Sequence, residues 1–158
     1  MKRIIQILWM VVCLVMLSAC GEWSVFSEKS NKKTVEEYLG MDLAMAQVLD
    51  EWENHGWFGD GETFVKLSVP DGFERDLGLV EVSDGKYKDG WYALPLMGTA
   101  YEYFYEWGGL FEHPETGERV IPEIANGYWK LTVTGAQNWE LVILDTDADI
   151  LYYYEYDS

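Results

Sequence analysis

Three aspartates at alternate positions, Asp145, Asp147 and Asp149, have the spacing that opens a calcium-binding loop. In an EF-hand loop, carboxylates at positions 1, 3 and 5 bind the ion. The rest of that motif is missing, because Ile150 stands where the loop needs glycine and Tyr156 where it needs a bidentate glutamate. Aspartate also favours hairpin turns, where its side chain bonds the local backbone. We therefore predict a turn and no metal site.

A glycine-rich stretch carries a second group of polar side chains, His55, Asp60 and Glu62. Such residues can form a metal site or an acid–base pair, but the other histidine, His113, lies in a proline-flanked loop with no spacing that links it to them. The sequence has no zinc-binding helix motif, nucleophile elbow or phosphate-binding loop. With 28 acidic residues, a carboxylate pair that hydrolyses glycosides remains an alternative. We predict a polar turn, and name no catalytic residue or cofactor.

The start of the chain carries chemistry of a different kind. Two basic residues precede an apolar run at 4–17, and small residues come before Cys20. This is the layout of an export signal, and the residues at 17–20 resemble the lipobox of bacterial lipoproteins, whose cysteine receives lipid after cleavage. The apolar run is shorter than the ~20 residues that span a bilayer. We predict a signal peptide at 1–19, lipid attachment (palmitate or a related acyl chain) at Cys20, and anchoring on the extracytoplasmic side of the cell membrane.

The charge of the chain restricts its partners. It has 11 basic and 28 acidic residues, a formal charge of −17, and loss of residues 1–19 removes two basic and no acidic residues, leaving −19. Nucleic-acid binding is excluded, since it needs Lys and Arg to displace counterions from phosphates. A disordered chain is excluded as well, because 49% of the residues are hydrophobic. The expected partners are the membrane, through the anchor, and a basic protein, a basic peptide or a carbohydrate.

Tyrosines are concentrated at 101–105 and 152–156. In a strand, Tyr152, Tyr154 and Tyr156 project from one face and Tyr153 from the other. These rings either pack under neighbouring elements or form a platform for a sugar or a protein partner, because they offer a large contact area with a polar tip. We favour packing. For the whole protein we favour a binding role over that of a small enzyme acting on cell-wall carbohydrate through paired carboxylates.

We predict that one α+β domain at 34–158 positions these residues and that a flexible tether at 20–33 joins it to the lipid. Thr34 and Glu37 form a capping box that predicts the start of a helix. Gly40 interrupts it early, although apolar residues at a spacing of three to four continue to about Glu53 and predict a long helix.

The rest of the domain is predicted to be an antiparallel sheet of four to five strands, with short helices covering one face. Residues 63–69 alternate as a strand with one buried face. A three-stranded meander is predicted at 128–133, 139–144 and 150–156. Brief helices are predicted at 73–77 and 99–107, although the tyrosines at 101–105 also alternate as they would in a strand.

Several short runs resemble a group of small lipoproteins from Firmicutes for which no activity is known. The resembling runs are His55–Leu67, Leu94–Leu96, Ile121–Ile124, Asn126–Tyr128, Asp145–Asp147 and Leu151–Glu155. The resemblance covers nearly the whole chain after Cys20. It implies turn-forming residues near 43–47, and therefore a strand at 46–54 that pairs with 63–69. We favour this short helix followed by a strand over the long helix.

Overall fold

The computed structural model describes residues 31–55, 60–80, 89–106, 111–134 and 138–158. The predicted signal peptide, Cys20 and most of the predicted tether lie outside the described residues. The same is true of the middle of the predicted glycine-rich turn, at 56–59. Residues 31–158 group into one compact unit.

The described chain forms two short helices, a turn of 3-10 helix and six strands. The helices are α1 (Asn31–Leu39) and α2 (Thr99–Tyr101), which continues as a π-helical turn at Glu102–Glu106, and the 3-10 turn is Phe73–Asp76. The strands are β1 (Gln47–His55), β2 (Gly61–Ser68), β3 (Tyr92–Ala93), β4 (Gly127–Thr134), β5 (Asn138–Asp145) and β6 (Ile150–Asp157). The strand order is β1-β2-β6-β5-β4-β3, and every adjacent pair is antiparallel.

The alternation of side chains along β6 divides the core in two. Tyr152 and Tyr154 point to a face rich in rings, here called the aromatic face, where they pack with Trp129 and Trp139 among others. Tyr153 points to the opposite side, here called the α1 face. Tyr152, Tyr153 and Tyr154 are buried, and Tyr156 is half-buried and packs against the aromatic face. The prediction that these rings pack inside the protein is therefore confirmed, and a platform on this part of β6 is wrong.

Both faces of the sheet are covered. The helical segment at 99–106 packs on the aromatic face through Ala100 and Phe104, and α1 packs on the other face through Val35. Neighbouring residues of β2, Phe64 and Val65, are each fully buried on opposite faces. Helices therefore cover both faces of the sheet where one was predicted, and the strand predicted at 63–69 with one buried face is buried on both, because the central strands are apolar on both sides.

An antiparallel sheet with few short helices matches the predicted class in outline, and the three-stranded meander is confirmed as β4, β5 and β6. The strand favoured at 46–54 is confirmed as β1, which pairs with β2. The sheet has six strands instead of four or five, because the two residues of β3 add to the edge of β4. Short helices near 73–77 and 99–107 are also confirmed.

The first helix differs from its prediction. It includes Asn31–Lys33, which were assigned to the tether, so Thr34 lies inside the helix and does not cap it. Lys32 holds this early turn in place, since its Nζ donates a hydrogen bond to the Ala46 carbonyl at 2.7 Å. The helix ends where predicted, at Gly40, whose positive φ of 64° is a conformation that glycine adopts easily.

Candidate functional site

The segment between α1 and β1 forms one wall of a surface groove. The backbone N–H of Ala44 donates to Asp42 Oδ1 at 2.8 Å, and the N–H of Ala46 donates to the Leu43 carbonyl at 2.8 Å, which closes a tight turn. Leu43 and Ala46 are buried in the core and anchor the turn. Met45 between them is 80% exposed. The turn thus holds a large apolar side chain out in solvent.

The segment after β2 forms the opposite wall. Pro70 ends the strand and Gly72 has φ 79°, after which the 3-10 turn begins at Phe73. A Cβ at Gly72 would lie 2.9 Å from Cζ of Arg75, so the guanidinium of Arg75 lies against the glycine backbone. The groove between the two segments has a volume of about 480 Å³. It is lined by Met41, Asp42, Leu43, Met45, Ala46, Pro70, Asp71, Gly72, Phe73 and Asp76.

The lining combines apolar surface with negative charge. Its lining, as far as the structure describes the chain, includes three aspartates and no lysine or arginine, although Arg75 lies beside it. Methionine side chains are flexible and polarizable, so they adapt to ligands of different shape. The volume falls in the range of ~300–1,000 Å³ that is typical of ligand pockets. Such a groove can bind a cation that carries an apolar portion.

Two glutamates meet on the α1 face near one end of the β5–β6 pair. Glu140 and Glu155 lie directly opposite each other in register. The Tyr153 hydroxyl lies between them, 3.0 Å from Glu140 Oε1 and 3.1 Å from Glu155 Oε2. Tyr38 of α1 covers the cluster, with its ring edge-on to that of Tyr153 at 5.6 Å between centroids. Its hydroxyl is hydrogen-bonded to Thr132 Oγ1 at 2.9 Å.

The protonation of this cluster is set mainly by burial. Burial raises the pKa of Glu140, the hydrogen bond from Tyr153 lowers it in part, and the charges of Glu155 and Lys130 act in opposite directions. Burial and the two carboxylates raise the pKa of Tyr153 far above its usual value, so its hydroxyl stays protonated. Neither glutamate lines the groove. The pair can hold a proton, but the tyrosine occupies the space between the carboxylates.

Comparison of this chain with protein-family models, with curated proteins and with solved structures finds no match. Among the described residues, no helix has the length and apolar character needed to cross a membrane.

The structure separates the polar residues of the predicted glycine-rich turn. His55 Nε2 is 3.0 Å from Thr63 Oγ1, whereas strand alternation directs Glu62 to the aromatic face. Burial raises the pKa of Glu62, and interaction with the Tyr154 hydroxyl lowers it. Within the described chain that hydroxyl makes no hydrogen bond of acceptable geometry. His113 lies in a separate loop, with its ring edge-on to that of Trp52 of β1 at 6.0 Å between centroids. These residues do not form one site.

The aspartates at 145–149 form the predicted turn between β5 and β6. Asp145 Oδ1 accepts hydrogen bonds from the N–H groups of Asp147 and Ala148, at 2.9 and 3.2 Å. Asp147 Oδ2 accepts one from the side-chain amide of Asn126 at 2.8 Å. Asp149 has a positive φ of 53°. The side chains of Asp145 and Asp147 thus stabilise the turn, and the described residues contain no group of three or more metal ligands.

An exposed pair of rings lies at the other predicted tyrosine cluster. Tyr101 and Tyr105 are 47% and 42% exposed, and their centroids are 4.6 Å apart. The Arg119 guanidinium lies over the Phe104 ring at 4.5 Å, and its Nε donates to the Ile121 carbonyl at 2.8 Å. The concentration of tyrosine was visible in the sequence, but the groove and the glutamate pair were not singled out there.

Proposed function

We propose that this protein is a lipid-anchored, extracytoplasmic lipoprotein without catalytic activity, which binds a basic peptide segment of its partner in the acidic groove. The lipobox at 17–20 supports the anchor at Cys20. The observation that carries the binding role is the groove itself, in which exposed apolar side chains and three aspartates line one surface and the described lining residues include no basic one.

The occupant must match both features of the groove. Met45 and Phe73 offer apolar contact, which favours a ligand with at least one apolar side chain. Asp42, Asp71 and Asp76 favour a positive charge next to it. The charge of −19 that remains after loss of residues 1–19 attracts a basic partner from a distance and repels an acidic one. A short segment with alternating lysine and leucine meets these conditions.

The full-length protein in detergent is titrated with an eight-residue peptide of alternating lysine and leucine, and binding is followed by calorimetry. The double variant Asp42→Asn/Asp76→Asn is expected to weaken binding several-fold. The control Asp50→Asn/Glu51→Gln removes the same charge from exposed positions of β1 and is expected to have a much smaller effect. Equal losses in both variants would show that only net charge matters, and would overturn the groove as the binding site.

A second candidate, carbohydrate binding, is favoured by the exposed pair Tyr101 and Tyr105. Sugar rings stack on exposed aromatic side chains, and Arg119 offers hydrogen-bond donors held beside Tyr105. Titration with a tetramer of N-acetylglucosamine tests this candidate. Binding that Tyr105→Ala abolishes would support it, and an absence of binding at millimolar sugar would remove it.

The alternative of an envelope enzyme has less support. Carboxylates that hydrolyse glycosides leave room for the substrate between them, at separations of ~5–9.5 Å. Tyr153 fills the corresponding space between Glu140 and Glu155. Release of soluble sugar from purified cell wall by the wild type, lost in Glu140→Gln, would favour the enzyme instead.

A further inference from the structure

The Tyr153 hydroxyl has one proton but two carboxylate neighbours. It lies within hydrogen-bond distance of both Glu140 and Glu155, and a phenolic hydroxyl donates one hydrogen bond while its oxygen can accept others. With both glutamates ionised, one of the two contacts has no proton to share. Like charges directly opposite each other on adjacent strands also destabilise a sheet. Both contacts of the Tyr153 hydroxyl can be hydrogen bonds when one of the two glutamates is protonated.

We propose that Glu140, Tyr153 and Glu155 form a proton-binding site, in which Glu140 takes up one proton from solvent and α1 packs more firmly on the sheet as the medium becomes acidic. In the protonated form the Glu140 O–H donates to the Tyr153 oxygen, and the Tyr153 O–H donates to the Glu155 carboxylate. The formal charge of the three groups changes from −2 to −1. Glu140 takes the proton because burial raises its pKa.

The neighbouring groups leave this proton in place. Tyr38 of α1 is uncharged, since burial raises its pKa far above its usual value. On β4, Thr132 is neutral and Lys130 is positive. The charge of Lys130 opposes proton uptake, but its Nζ lies 3.1 Å from Asp89 Oδ1, so much of that charge is compensated. The balance of these groups retains a raised pKa for Glu140.

The sign of the pH dependence follows from the folded and unfolded states. An unfolded glutamate has a pKa of ~4.3, and the folded protein binds the proton of Glu140 more strongly. The stabilisation is complete below the unfolded value and is lost as the pH rises through the raised folded value. Because the Tyr38 ring rests on Tyr153, α1 is the element whose packing gains most from protonation.

The first test compares melting temperatures of the full-length protein and Glu140→Gln, whose amide mimics the protonated acid. At pH 7.5 the variant is expected to melt about 2–4 °C higher than the wild type, and at pH 4.5 the two are expected to melt together. Glu51→Gln, at an exposed position of β1, controls for the loss of one charge. The proposal is overturned if Glu140→Gln gives no gain at pH 7.5, or the same gain as the control.

The second test separates a shared proton from burial alone. Carbon NMR of labelled glutamate side chains gives the titration midpoint of Glu140 directly. In the wild type it is expected above ~4.3, and in Glu155→Gln it is expected to fall, because the second negative charge is gone and Tyr153 donates to Glu140 alone. An unchanged midpoint in Glu155→Gln would show that burial alone raises it, and the proton would not be shared.

Discussion

Substitution by phenylalanine is expected to affect the stability of the protein differently at two adjacent tyrosines of β6, Tyr153 and Tyr154. The Tyr153 hydroxyl contacts two carboxylates at 3.0 and 3.1 Å, whereas the buried Tyr154 hydroxyl has no hydrogen-bond partner in the described chain. A hydrogen bond to a charged group contributes about 1.5–3 kcal/mol, and an unsatisfied buried polar group costs about 1–3 kcal/mol. Removal of each hydroxyl therefore changes the free energy of unfolding in a different direction.

For Tyr153→Phe we expect a loss of about 1.5 kcal/mol, the lower end of that range, because Glu140 and Glu155 are half-exposed. For Tyr154→Phe we expect no loss, or a gain of up to about 1 kcal/mol, because the substitution removes a buried hydroxyl that makes no hydrogen bond of acceptable geometry, at the expense only of its interaction with Glu62.

Urea unfolding at pH 7, followed by tryptophan fluorescence, measures both values. If the free energy of unfolding depends equally on urea concentration in the wild type and both variants, the unfolding reaction is the same in all three. If Tyr154→Phe destabilises the protein as much as Tyr153→Phe does, the assignment of satisfied and unsatisfied hydroxyls is wrong.

Three further predictions concern the anchor and the β5–β6 turn. The wild type is expected in the membrane fraction of a bacterial host with a lipid-sized mass increase at its N-terminus, and Cys20→Ala is expected to be neither lipidated nor cut at that site, as mass spectrometry would show. Millimolar calcium is expected to leave the melting temperature unchanged, whereas a micromolar site at Asp145 and Asp147 would add about 4 kcal/mol at a thousandfold excess. Asp149→Val is expected to cost about 1–2 kcal/mol in urea unfolding because its φ is positive, and Asp149→Gly is expected to cost nothing; equal stability of the two would contradict the conformation.

The strands with a clear alternation could be predicted from the sequence. The meander follows from the apolar alternation of β4 and the short polar connections on both sides of β5. Periodicity could not decide the segment at 46–54, because its apolar residues fit a helical spacing as well as an edge strand. The structure makes it a strand in which Trp52 packs on the aromatic face while most other positions are exposed.

The two sites depend on geometry that local patterns do not contain. The groove exists because the turn at 43–46 buries Leu43 and exposes Met45, and the sequence marks neither as different from the other apolar residues nearby. The contact between Glu140 and Glu155 depends on the register of β5 with β6. A shift of one residue would change which side chains face each other, so this pair could not be assigned before the length of the turn was known.

The central position of β6 has a consequence for the synthesis of the chain. This strand, Ile150–Asp157, lies between β2 and β5, and its pairing with β2 places Gly61 opposite Asp157. The β1–β2 hairpin therefore has no neighbour in the sheet until residues 150–157 have left the ribosome. Contacts between residues this far apart in the sequence also form slowly. The two halves of the sheet therefore join only after the last strand has been made, and early termination before Ile150 would leave both halves without their shared strand.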